Sequence, residues 1–209
     1  MHSGSEILMY FYSTNSESMQ MYKGHVPTAN MYSLMNWPHY LVWDSYQSDA
    51  VRRYEGQDSK IEIVGPIWFE DNGLLMPEVG GKKIAVFDVQ PFRKSFYCSM
   101  GLAFEYYVPE VACDFLVDAS KAVIASDATM LYKAKREVGS LIHPVFEGCR
   151  NHVIESSSVC NLDPGISAYR VIQAADAVVS MPFTSTALLA REIGKPTAYY
   201  DPSGILQPN

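Results

Sequence analysis

The chain has 209 residues, of which 48% are hydrophobic and 12% aromatic, and it carries a net charge of −7. That length can bury a core in one large or two small α/β domains. The acidic balance argues against a general nucleic-acid binder, because phosphate backbones are held by clustered Lys and Arg, and no apolar run is long enough for a membrane span. The amino terminus has no basic region followed by an apolar core, so secretion is not expected.

The cysteines Cys98, Cys113, Cys149 and Cys160 match neither CxxC nor a zinc spacing. They read as reduced thiols, which places the protein in the cytoplasm, at most peripheral to the inner membrane.

The first predicted strand is the apolar run at 7–12, followed by a polar turn at 13–18. Residues 19–36 are rich in Met and Tyr without a clear period and read as packing filler. A strand at 40–43, a helix from the cap Asp44 to about residue 54, and a strand at 61–64 follow. The Gly- and Pro-containing stretch at 69–82 is the best boundary in the chain. The sequence therefore divides into 1–75, a partial Rossmann-like domain, and 80–209, a second Rossmann-like domain.

The second half opens with a buried strand at 83–89 and a loop that places Arg93 where a ligand phosphate or carboxylate could be met. Pro109 and Glu110 start a helix predicted to run to residue 125, with Val111, Phe115, Leu116, Ala119 and Val123 on one face. The strand expected at 128–134 runs into Lys133, Lys135 and Arg136. These cations could neutralise a diphosphate or a carboxylated sugar, or pair with local carboxylates such as Glu137. His143 lies in the next loop, a strand is expected at 152–156, and Ser156 and Asp163 bound a long polar loop. A helix at 166–175 leads into the most informative stretch.

That stretch, DAVVSMPFTSTALLAREIGKPTAYYDPSG at 176–204, reads as strand, hydroxyl-rich turn, helix, stop and strand. In such a βαβ unit, free backbone N–H groups converge just past the first strand and attract anions. Thr184, Ser185 and Thr186 stand there. One hydroxyl would serve as an N-cap; three in a row exceed what a cap needs and suggest phosphate binding.

The series SAYRVIQAADAVVSMPFTSTALLAREIGKPTAYYD resembles the carboxyl-terminal nucleotide-binding half of GT-B glycosyltransferases that make bacterial surface polysaccharides. The resemblance covers 83–204. It implies an α/β, Rossmann-like parallel sheet with flanking helices, GT-B-like, with the first domain incomplete. It makes Thr184, Ser185 and Thr186 the phosphate contacts and Lys135 the strand-end cation. The preceding loops, with Lys133, Arg136, His143, Ser156 and Asp163, would hold base, ribose or sugar. Leu189 stands where the family often carries a ribose-binding glutamate.

A nucleotide-sugar donor and a polysaccharide or lipid-linked acceptor are the implied partners, with no cofactor, no metal and no named catalytic base. The short first half suggests a shortened form or fragment, or a site completed by a protein partner or oligomer. Two alternatives stay open. One is a nucleotide-sugar epimerase of the same fold; the other is a non-catalytic nucleotide-binding or regulatory module.

Overall fold

The computed structural model describes residues 6–11, 19–21, 36–55, 59–66, 73–99, 108–135, 138–182 and 184–208. The chain forms two compact units, Met1–Phe69 with Ile205–Asn209, and Glu70–Gly204.

In the first unit, β1 (Met9–Tyr10), β3 (His39–Val42) and β4 (Lys60–Ile63) make a parallel sheet in the order β1-β3-β4, and β2 is Met19–Met21. Helix α1 (Ser45–Glu55) connects β3 to β4. Its start is set by Asp44, whose Oδ1 accepts from the Gln47 amide at 2.9 Å. Tyr40, Val42 and Val51 form the core with Met9, Phe11 and Ile61 around them, and the rings of Phe11 and Tyr40 stack at 6.2 Å.

The second unit runs β5 (Lys82–Phe87), α2 (Lys94–Ser99), α3 (Pro109–Ala125), β6 (Ala128–Lys133), a 3-10 turn (Gly139–Leu141), α4 (Pro144–Ile154), β7 (Val159–Asn161), α5 (Ala168–Ala174), β8 (Ala177–Ser180), α6 (Thr186–Glu192) and β9 (Thr197–Tyr199). All of its strand pairs are parallel, in the order β7-β6-β5-β8-β9. From β5 the chain builds outward on one side through β6 and β7, then crosses back to place β8 and β9 on the other. Right-handed crossovers in opposite directions put α3 and α4 on one face and α5 and α6 on the other. Accordingly α3 packs on α4 and α5 on α6. This is a Rossmann-like α/β sheet, and its topological switch point lies between β5 and β8. The last strand, β10 (Leu206–Pro208), returns to the first unit and pairs antiparallel with β2; the sequence had assigned this tail to the second domain.

Helix α3 has the predicted span because its signals are local. Pro109 is pre-organised for the first turn, and Ala112, Phe115, Leu116, Ala119 and Val123 turn one buried face to the unit's core. Past its end Asp127 takes φ 53°, a left-handed conformation that Asp tolerates. Phe115 is fully buried. Phe115→Ala is expected to lower stability by about 3–5 kcal/mol, read from urea unfolding; a loss of under about 1 kcal/mol would contradict its place in the core.

One predicted element is wrong. Residues 152–154 end helix α4 rather than open a strand, and the strand lies later, at β7. His143 was read as a loop residue, whereas it caps this helix, and Pro144 sits in its first turn, where a missing N–H costs nothing. The buried positions Phe146 and Val153 lie on one helical face.

Candidate functional site

Ligands of open α/β sheets bind beyond the carboxyl ends of the strands at the switch point. Two groups of residues meet that description in the second unit, one after β8 and one after β5 and β6. Phe87 and Ser180 are register partners, and the Met181 amide continues the pairing by donating to the Phe87 carbonyl at 2.9 Å. Adjacent strands run about 5 Å apart, so the backbones of Asp88 and Met181 leave the sheet side by side.

After β8 the chain turns through Met181 to Ser185 into α6. Thr184 is buried and its hydroxyl donates to the Met181 carbonyl at 2.8 Å. The Thr186 hydroxyl lies 2.8 Å from that of Ser180 and 3.2 Å from that of Thr184, and the Tyr199 phenol donates to the Thr184 carbonyl at 2.6 Å. The loop is thus shaped by its own hydroxyls. Of the expected phosphate contacts, Thr184 turns inward and acts on the loop, while Ser185 and Thr186 are half-buried at the start of α6.

Other parts of the same stretch lie away from that end. Asp176 Oδ2 accepts from the Lys83 amide at 2.7 Å, before β8 begins. Lys195 donates to the carbonyls of Gln173 and Ala175 at 2.9 and 2.7 Å, capping the end of α5. Their roles are structural: one fixes a strand start, the other a helix end.

After β5 and β6 lies a buried polar cluster that the sequence reading missed. Asp88 is 1% exposed and Gln90 6% exposed. The Tyr132 phenol donates to Asp88 Oδ2 at 2.7 Å. Burial, reinforced by Asp88, holds that phenol well above its usual range, so it remains a donor. Burial also pushes the Asp88 carboxyl up to about 6, against the opposing pull of the Tyr132 hydrogen bond and of the cations Arg150 and Lys133. Asp88 Oδ1, Gln90 Oε1 and Gln90 Nε2 are buried without a hydrogen-bond partner. Leaving such an atom unpaired costs about 1–3 kcal/mol, so three near one strand end require an explanation. The available signal was an acid and an amide directly beyond the apolar strand run IAVF.

The remaining expected residues divide as follows. Lys133 ends β6, is buried, and donates from Nζ to the Ala134 carbonyl at 3.2 Å. Desolvation lowers its pKa while Asp88 and Asp163 oppose the shift. Lys135 is exposed beyond the strand end. Arg93 donates from Nε to the Ser140 carbonyl at 2.7 Å and from its amide to the Leu141 carbonyl at 2.9 Å. With the Phe92 to Ile142 bridge, this joins the loops beyond β5 and β6.

His143 is the N-cap of α4, its Nδ1 accepting from the Val145 amide at 3.3 Å. Ser156 lies in the turn before β7, at the amino edge of the sheet, because the strand expected before it is helix. That placement removes it from the carboxyl-edge site. Asp163 follows β7 at the carboxyl edge and accepts from the Gly165 amide at 2.7 Å. Arg136 lies outside the described residues. Among the described residues no group of His, Cys, Asp and Glu is placed to hold a metal ion, and no helix is long and apolar enough to cross a membrane.

No curated protein and no solved structure matches this sequence. A protein family does, over residues 1–209, under the description "Polysaccharide biosynthesis PFTS motif protein". The four letters occur once in the chain, as Pro182-Phe183-Thr184-Ser185, in the loop between β8 and α6. The chain belongs to this PFTS-motif family of polysaccharide biosynthesis proteins.

Proposed function

We propose that the protein binds a nucleotide-activated sugar and serves glycosyl transfer in polysaccharide biosynthesis, its second unit acting as the donor-binding half of a GT-B-like glycosyltransferase. One observation carries this reading. The four letters of the family's description occur, within this chain, in the loop at the carboxyl end of β8, beside the switch point where sheets of this order take their ligands. In this reading Ser185 and Thr186 meet the donor's phosphate, with Lys135 adding positive charge. Hydroxyls, amides and cations would together stabilise the leaving phosphate as the bond to the anomeric carbon breaks.

A thermal-shift screen with CMP, UDP, GDP, CDP and ADP tests the reading. A ligand bound only by the native state at a hundred times its Kd stabilises by about 2.7 kcal/mol, which is roughly 5 to 10 °C for a chain of this size. One nucleotide of the five is expected to give such a shift. No shift with any of them at millimolar concentration would defeat the proposal.

A further inference from the structure

We propose that Cys113 and Cys149 are a site of reversible oxidation, where a disulfide closes between α3 and α4 when the protein meets a peroxide and reopens on reduction. This does not depend on the nucleotide reading.

The two cysteines are 36 positions apart in the chain, and packing alone brings them together. Cys113 lies in the second turn of α3 and Cys149 in the second turn of α4, and these helices pack on each other. The Cys113 thiol donates to the Val145 carbonyl at 3.9 Å, one turn before Cys149. The Cys149 thiol donates to the Cys113 carbonyl, also at 3.9 Å. Each sulfur thus reaches the backbone of the opposite helix, and the two thiols hydrogen-bond to one another. Thiols are weak donors, so these contacts leave both side chains free to turn and bond. Cys160 in β7 is unlike them, because burial alone raises its thiol.

Burial, followed by the Cys149 thiol and then the Asp114 and Glu110 carboxylates, pushes the Cys113 thiol up to about 12. Cys113 therefore keeps its proton at neutral pH, and attack on the oxidant falls to Cys149. The Cys149 sulfur attacks one oxygen of hydrogen peroxide, the O–O bond breaks, water leaves, and the sulfur carries a sulfenic hydroxyl. The Cys113 sulfur then attacks that sulfur. The S–O bond breaks, and the Cys113 proton leaves with the hydroxyl as a second water. Two electrons pass from the sulfurs to the peroxide. Both residues are half-buried, so a molecule as small as peroxide reaches them, and a thiol in contact with a sulfenic acid closes the disulfide before further oxidation.

The test uses the full chain, first reduced and then treated with hydrogen peroxide. Peptide mapping without reductant is expected to find one intramolecular disulfide, from Cys113 to Cys149, with the intact mass lower by two hydrogens. The melting temperature is expected to rise by about 5 °C or more, since closing a loop of this length restricts the unfolded chain. Dithiothreitol should reverse both changes. The double variant Cys98→Ser, Cys160→Ser keeps the pair and should behave as wild type does. In Cys113→Ser the sulfenic acid should persist on Cys149, where dimedone traps it.

A disulfide joining any other pair would overturn the proposal. So would oxidation of both thiols to sulfinic acid without a disulfide, or a pair left unreacted by millimolar peroxide. A Cys113 to Cys149 bond that fails to raise the melting temperature would also overturn it, because the helices would then be distorted to make the bond. Mapping of the wild type decides the pairing even if a variant does not fold.

Discussion

Replacing Ser185 and Thr186 together by alanine is expected to weaken nucleotide binding about a hundredfold. A hydrogen bond to a charged group contributes about 1.5–3 kcal/mol, and each 1.4 kcal/mol is about tenfold in affinity, so losing two such bonds reaches that factor or exceeds it. The same change has a smaller structural effect. The Ser180 hydroxyl loses its 2.8 Å partner on Thr186, which costs about 1–3 kcal/mol in a site cut off from water.

Ser185→Ala alone separates the two effects, because it keeps the Thr186 hydroxyl that Ser180 needs. The fold of the double variant, judged by circular dichroism, should survive. Calorimetry showing affinities within about twofold of wild type would remove these hydroxyls from the phosphate site.

The second large effect concerns stability and pH. The Asp88 carboxyl titrates at about 6 in the folded chain because burial disfavours its charge, against 3.8 ordinarily. Between those values the folded protein holds a proton that the unfolded chain has released. Stability therefore falls as pH rises through this window, and the loss is complete above it. At about 1.36 kcal/mol per pKa unit the penalty is about 3 kcal/mol at pH 8.

Asp88→Asn removes the charge while keeping an oxygen for the Tyr132 phenol. The variant is expected to exceed wild type by up to about 3 kcal/mol at pH 8, with the advantage shrinking to nothing near pH 4. Urea unfolding at the two pH values measures it. A variant less stable than wild type at pH 8 would mean that Arg150 and Lys133 compensate the carboxylate by more than its burial costs.

The contrast between α3 and Ser156 shows which parts of the fold were legible. Pro109 and an apolar stripe act within a turn or two, so the helix could be read along the chain. Ser156 was misplaced because its position depends on whether the preceding segment is strand or helix. His143 followed the same error, and its imidazole caps the helix.

Within the stretch from Asp176 to Gly204, spacing identified strand, turn and helix. It could not separate Asp176 and Lys195, which fasten the sheet and a helix end, from the hydroxyls at the other end. Those distinctions come from partners 20 and more positions away, such as Lys83 for Asp176 and Gln173 for Lys195.

By itself the sequence determined the α/β class, the parallel second sheet and the hydroxyl-rich loop before α6, because periodicity, caps and turn residues act between near neighbours in the chain. The tertiary structure alone decided that β5 and β8, some ninety positions apart, lie side by side. It also decided that Asp88 and Gln90 are shut away from water beside them. Burial and strand order are properties of the packed chain, and they turn an acid and an amide at the end of an ordinary strand into polar groups closed off from water.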